Sequence, residues 1–403
     1  MTSNIPMTNT EITKKPRVLI PYLNQWDVAD HTQEWQKLSK EVSLIKYKIE
    51  DVRVFEQFLQ GSEIDCLWVT DDFVEHLGGP AAFWDFYPSS LKAVVVPWVG
   101  CDFIDGRRLR KEKNIILCNI GPNASNCVAD MAMFLVISCF RLTSFWEHCF
   151  RFFTNGSVPD TRRYIGGEGK TTFGIKALPS DGSISSALHS SYELPKAAHP
   201  DEIATLNLSK NFSIGGKSVD SPADKNALIL GFGSIGRTIG KRLSAGLGMN
   251  IHYFKRSGPI PECNLGYNAK FWHDINAPET WAIADIIIIS LPKDPSTDNI
   301  INEKTLKMCK DGVRIVNVGR GSCIDEDALI KALDSGKVTS CGLDVFKNES
   351  TAIRQDLLSR WDVTLLPHIG STVSDMMISQ TLITLENIKS ILLNGKEGVY
   401  PIN

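Results

Sequence analysis

The sequence predicts an α/β protein built from two doubly wound parallel-sheet domains. Three observations carry this prediction. The chain has 403 residues, β-rich runs alternate with helix-length segments in both halves, and one strand candidate runs directly into a glycine loop and a helix. A single core stops growing at about 250–300 residues, so this length implies about two domains. Lys+Arg total 43 against 46 Asp+Glu, for a formal charge of -3, with 43% hydrophobic and 22% charged residues. That composition excludes disorder and collagen-like order. The basic residues are scattered, which argues against nucleic acid as the main partner.

Residues 1–15 are polar, lack an apolar core and an arginine, and read as a disordered tail rather than a secretory or mitochondrial leader. From Arg17 to about Asn119, the runs RVLIPYL, VSLIKYKI, DCLWVT, LKAVVVPW and NIILCNI are separated by segments of helical length, the pattern of a parallel α/β sheet. Residues 124–153 hold no Gly or Pro, offer Ser125 or Asn126 as a cap, and are apolar nearly all round in their first turns. One long buried helix is expected there, between domains or against a second subunit. Its most apolar stretch, Met131 to Phe140, is about half a bilayer span, so no membrane association is expected. With a C-terminal YPIN that is no peroxisomal address, the chain is expected to be cytoplasmic.

Residues 155–224 crowd turn formers and small polar residues and predict an insertion that is partly disordered or forms a small surface lobe, without a catalytic role. After Asn226 six strand candidates follow, NALIL, NIHYF, ADIIIIS, VRIVNV, SCGLDV and VTLLP, as in a six-stranded doubly wound sheet. The ten cysteines fall singly, without C-x-x-C pairs or a paired histidine cluster, so neither a metal site nor a disulfide framework is expected.

The first of these strands leads into Gly231-Phe232-Gly233-Ser234-Ile235-Gly236 and a helical segment. The first glycine suits the tight turn, the second a close approach of backbone to pyrophosphate, and the third the packing of helix on strand. Phosphate would then lie on the helix N-terminus. An acid ending the second strand would hydrogen-bond a ribose 2′-hydroxyl, but this chain has Lys255-Arg256-Ser257 there. Two cations and a hydroxyl suit a 2′-phosphate, so NADPH is the expected cofactor; NADH remains open, as does a merely solvated basic turn.

Arg320 follows the fourth strand, Glu349 the fifth and His368 the sixth, all at the edge that holds the glycine loop. Each alone reads as an ordinary surface or helix-entry residue. Together they supply what 2-keto acid reduction needs: a fork for the carboxylate, a proton donor for the carbonyl oxygen and a carboxylate that keeps the donor protonated.

The stretches 91–105, 118–134, 228–236, 286–302, 316–333, 342–349 and 366–372 resemble the D-isomer-specific 2-hydroxyacid dehydrogenase family. The resemblance implies that Arg320 binds substrate, His368 is the acid/base and Glu349 its partner. It also implies that Asp344 faces the nicotinamide carboxamide, that Leu291, Pro292 and Val318 join the cofactor contacts, and that the backbone at Val99-Gly100 holds the substrate carboxylate. It further implies a substrate domain of residues 16–124 and 371–403, with a Rossmann-like cofactor domain of 125–370 inserted into it and the apolar helix forming a homodimer interface. The Arg-Ser ending is similar to that of NADPH-linked glyoxylate and hydroxypyruvate reductases. An NADH-linked enzyme for a bulkier hydroxy acid, suggested by Trp98, and a dinucleotide-sensing corepressor remain alternatives. Lys347, Ser350, Pro97-Trp98, Val373 and Met377 depart from the family pattern.

Overall fold

The computed structural model describes residues 14–25, 27–167, 170–172, 193–197, 212–349 and 351–403. Most of the expected N-terminal tail, much of the 155–224 insertion and Ser350 lie outside the described residues. The chain divides into two compact units: residues up to Ala124 with Val373–Asn403, and Ser125–Thr372.

In the first unit the five expected runs become β1 (Arg17–Tyr22), β2 (Ser43–Lys48), β3 (Cys66–Trp68), β4 (Ala93–Val95) and β5 (Ile116–Cys118). They form a parallel sheet in the order β2-β1-β3-β4-β5. Side chains alternate along a strand, so both faces of these apolar runs need cover. Leu19, Leu67, Val94 and Leu117 face Phe55 and Leu59 of α2 (Val52–Gly61) and Leu109 of α4 (Gly106–Lys113). On the opposite face, Ile20, Trp68 and Val95 pack with Trp35 of α1 (Gln33–Leu38) and with Ile388 and Ile391 of the C-terminal helix Ser374–Leu392. The helix α3 (Asp71–Leu77) follows β3, and Asp72 at its start accepts the amides of Leu23, Asn24 and Gln25 at 2.9, 2.7 and 3.0 Å.

The second unit opens with α5 (Ser125–Arg141), whose buried side includes Val128, Ala132, Leu135 and Val136. The helix does not run on to residue 153 as expected. It breaks at Leu142, which takes a left-handed φ of 52°, and α6 (Thr143–His148) continues into a π-turn over Cys149–Phe153. A hydroxyl cluster stabilises the break: Thr364 Oγ1 lies 2.7 Å from Ser138 Oγ and 2.9 Å from Ser144 Oγ, and Thr143 donates to Ser138 at 2.8 Å. The bend turns Phe145 onto Trp361 and Tyr164. Ser125 is the first helical residue and the Asn126 side chain meets Arg242, so neither is the expected cap. Among the described residues no single helix is long and apolar enough to cross a membrane; α5 and the segment after it pass only as a pair bent by 74°.

The described parts of the expected insertion are ordered. They comprise α7 (Val158–Arg162), the pair β6 (Lys170–Thr172) with β7 (Glu193–Pro195), and the hairpin β8 (Ser213–Ile214) with β9 (Lys217–Ser218). Leu194 and Ile214 complete a satellite core around Phe145, Cys149 and Trp361.

The main sheet is parallel throughout: β10 (Asn226–Leu230), β11 (Asn250–Phe254), β12 (Ala269–Phe271), β13 (Ile286–Ile289), β14 (Val313–Asn317), β15 (Val338–Leu343) and β16 (Val363–Leu365). Its order, β12-β11-β10-β13-β14-β15-β16, reverses direction at β10, the switch point of a doubly wound fold. The six expected strands are all present, and β12 is a seventh that sequence reading missed.

Candidate active site

Every candidate residue of the second unit lies where a parallel strand ends, the edge at which open α/β sheets bind ligands. The glycine loop joins β10 to α8 (Ser234–Leu247). Gly231 has a φ of 89°, and a Cβ there would lie 2.8 Å from Ser290 O. A Cβ on Gly236 would sit 2.1 Å from Gly231 O, which is the helix-on-strand approach that its place in the motif predicts. A Cβ on Gly233 would meet nothing within 4 Å, so bare backbone faces open space beside the first turn of α8, where Ser234 and Ile235 lie. This cradle fits the pyrophosphate of a dinucleotide, bound through backbone amides and the helix dipole.

At the end of β11, Lys255, Arg256 and Ser257 form a partly exposed turn. Arg256 Nη1 donates to Asp294 Oδ2 at 3.1 Å and to Ser296 Oγ at 3.0 Å, on the loop after β13. Leu291 and Pro292 begin that loop. The Leu291 backbone packs so closely under Gly319 that a Cβ there would lie 2.7 Å from its carbonyl oxygen.

Arg320 leaves β14 just after Val318, whose amide still bonds to Ile289 O at 3.0 Å. Its loop is locked from two sides. Asn317, fully buried, accepts the Gly319 amide at 3.0 Å and donates to Arg320 O at 2.9 Å. Gly321 lies against the next loop so tightly that a Cβ would stand 1.8 Å from Phe346 C. Arg320 Nη1 returns to Gly319 O at 2.8 Å.

Glu349 and His368 meet as the sequence predicts: Nδ1 lies 2.8 Å from Oε2, while Oε1 accepts the Phe346 amide at 2.8 Å. Burial raises the Glu349 carboxyl, but hydrogen bonds from His368 and Phe346 and the charges of His368 and Arg320 outweigh it, and the net direction is down. The hydrogen bond to Glu349 lifts the His368 imidazole above its ordinary value; burial opposes this, and the charges of Glu349 and Asp344 add to it.

Asp344 directly follows β15 and accepts backbone amides from the loop after β16. It is 2% exposed, and its two oxygens accept the amides of Ile369 at 2.8 Å and Gly370 at 2.9 Å. Burial raises its carboxyl despite those bonds. Its visible work is to hold the turn in which His368 takes a left-handed φ of 53°, a conformation that costs a non-glycine residue roughly 1–2 kcal/mol unless its surroundings impose it. Asn317 is a positioning residue with little signal in the sequence beyond a polar residue closing the apolar strand β14.

Val99 and Gly100 belong to the first unit and follow β4. Asn119 Nδ2 donates to Val99 O at 2.7 Å, and Trp98 stands edge-on to Phe103 with centroids 6.0 Å apart. Among the described residues no cluster of three His, Cys, Asp or Glu side chains could hold a metal ion.

Residues 207–370 match the family described as D-isomer specific 2-hydroxyacid dehydrogenase, NAD binding domain. The whole chain is 49% identical to a Saccharomyces cerevisiae protein provisionally named a 2-hydroxyacid dehydrogenase, over 100% of both sequences. It is 31% identical to glyoxylate reductase 1 of the same yeast over 77% of this chain and 71% of that one. Among solved structures, Rhodotorula graminis D-mandelate dehydrogenase superposes with a TM-score of 0.74 at 25% identity, covering 97% of this chain and 98% of that one.

Proposed function

The chain belongs to the D-isomer specific 2-hydroxyacid dehydrogenases, which are NAD(P)-dependent oxidoreductases, and from that premise we propose that it reduces a 2-keto acid of the glyoxylate or hydroxypyruvate type to the D-2-hydroxy acid with NADPH. The observation that carries this reading is the His368–Glu349 pair at 2.8 Å beside the Arg320 loop, all at the carboxyl ends of β14, β15 and β16.

Bound NADPH supplies the hydride. Glu349 occupies Nδ1 of His368, which leaves Nε2 as the nitrogen that delivers a proton to the carbonyl oxygen. The raised pKa of His368 keeps that proton available near neutral pH. Arg320 offers the substrate carboxylate a rigid fork. Gly231 and Gly233 cradle the pyrophosphate, Gly236 lets the helix close on the strand, and Lys255, Arg256 and Ser257 attract the 2′-phosphate.

The test is loss of nicotinamide absorbance with NADPH or NADH against glyoxylate, hydroxypyruvate, a branched 2-keto acid and phenylglyoxylate. Turnover of the two small acids with NADPH is expected, and no turnover with any pair would overturn the reading. Hydrogen bonds to charged groups contribute about 1.5–3 kcal/mol. Neutral replacements of Lys255 and Arg256 should therefore cut the NADPH preference by roughly 10- to 100-fold and leave NADH kinetics nearly unchanged.

A second reading, an NADH-linked enzyme for a bulkier hydroxy acid, draws on the Trp98–Phe103 contact after β4 and on the likeness to a mandelate dehydrogenase. Phenylglyoxylate outperforming glyoxylate, with NADH preferred, would favour it. We also propose a homodimer. Phe134 on α5 and Phe150 and Phe152 on the π-turn are exposed aromatic side chains of the kind a second copy would cover. Sedimentation at micromolar concentration should give twice the chain mass, and a monomer mass would remove this part of the proposal.

A further inference from the structure

Asp294 has no part in the mechanism above, yet it is the acid that Arg256 meets. In the sheet, β11 and β13 flank β10, so the Arg256 turn and the Asp294 loop stand on either side of the strand that feeds the glycine loop. The Asp294 carboxylate is used asymmetrically. Oδ1 accepts the Ser296 amide at 2.9 Å and its hydroxyl at 2.6 Å, closing a local turn, while Oδ2 takes Arg256 Nη1 at 3.1 Å. Among the described residues the Nε–Nη2 edge of Arg256 makes no hydrogen bond or ion pair, so a phosphate can bind there without breaking the pair with Asp294.

Resting on the NADPH reading, we propose that Asp294 is a specificity-determining residue that tempers the attraction of the Lys255–Arg256 turn for the 2′-phosphate. A phosphate monoester carries a charge of about -1.5 to -2 at neutral pH. Bound to the far edge of Arg256, it shares that guanidinium with a second anion, and the two repel. The repulsion persists at every pH where the protein works, because the Ser296 hydroxyl and amide, and then Arg256, hold the Asp294 carboxyl down at about 2. The Arg256 side chain is 70% exposed, so water and salt screen the effect to several-fold rather than orders of magnitude.

The substitution Asp294→Asn separates this role from turn-making, since an Asn Oδ1 can still cap Ser296 while the charge is gone. Calorimetry with adenosine 2′,5′-bisphosphate and 5′-AMP, alongside KM for NADPH and NADH, reads the outcome. Expected are a roughly three- to tenfold tighter bisphosphate and a matching fall in the KM for NADPH. The 5′-AMP affinity, the KM for NADH and kcat should hold, and the gain should shrink as salt is added. Weaker bisphosphate binding, an equal change for all four ligands or no change at all would each overturn the proposal. If the unaltered protein binds bisphosphate no better than 5′-AMP, the NADPH reading fails; the proposal for Asp294 is judged separately, by whether D294N tightens bisphosphate relative to its parent.

Discussion

Replacing His368 with Ala is expected to lower kcat for keto-acid reduction by about 10²- to 10⁴-fold, the usual worth of a positioned general acid. Cofactor affinity should hold, because the glycine loop and the Arg256 turn leave β10 and β11, away from the end of β16. The melting temperature should barely move: both side chains of the His368–Glu349 pair are more than one-third exposed, where ion pairs contribute little. The pH profile identifies the group. Reduction consumes the protonated imidazole, so its rate is full on the acid side and falls as pH rises through the elevated His368 pKa; oxidation of the hydroxy acid shows the mirror image. The substitution Glu349→Gln removes the charge, and weakens to a neutral one the hydrogen bond, that raise that pKa, so the reduction limb should move to lower pH. Unchanged turnover in H368A, or an unmoved limb in E349Q, would take the pair out of the mechanism.

The ease of finding this pair in the sequence, and the difficulty of finding its supports, have the same cause. Strands buried on both faces appear as short apolar runs, and the glycine loop and the Arg320, Glu349 and His368 segments follow such runs directly. Their placement at one edge therefore follows from parallel topology alone. What escaped depends on partners distant in sequence. The strand β12 is three residues long and is defined by pairing with β11, from Ile251↔Ala269 onward. The break at Leu142 has no Gly or Pro to announce it; Thr364, more than 200 residues away, completes the hydroxyl cluster there. The hold of Asp344 on the His368 turn shows only once the amides of Ile369 and Gly370 are seen to converge on it.

The 212–220 segment shows the same limit, and its role leads to a large stability effect. Composition marks it as part of a surface insertion, yet it carries Lys217 and Asp220 to buried charges of the main sheet. Asp220 meets Arg314, itself 4% exposed, at 2.7 Å. Lys217 reaches Asp362 and also donates to Leu333 O at 3.0 Å. Asp362, 2% exposed, is held from its other side by Arg360 Nε and Nη2 at 2.8 and 2.9 Å. Burial alone would raise the Asp362 carboxyl; the Arg360 hydrogen bonds and the charges of Lys217 and Arg360 reverse this and hold it below its usual value. A carboxyl lowered in this way stabilises the fold above its unfolded pKa, and loses that contribution only as pH falls through its folded one.

At pH 7, therefore, Asp362→Ala should show its full cost. It would strand Lys217 and leave Arg360 with Asp334 alone, and breaking a buried pair from one side costs about 3–5 kcal/mol. For a unit of this size that corresponds to a melting temperature lower by roughly 6–20 °C. Lys217→Met should cost clearly less, because Asp362 keeps both bonds from Arg360. Differential scanning calorimetry at pH 7 of both variants decides the matter. If K217M destabilised as much as D362A, the stability would come from docking the 212–220 segment as a whole. If neither moved the transition of the second unit, the buried charges would have no net hold on the fold.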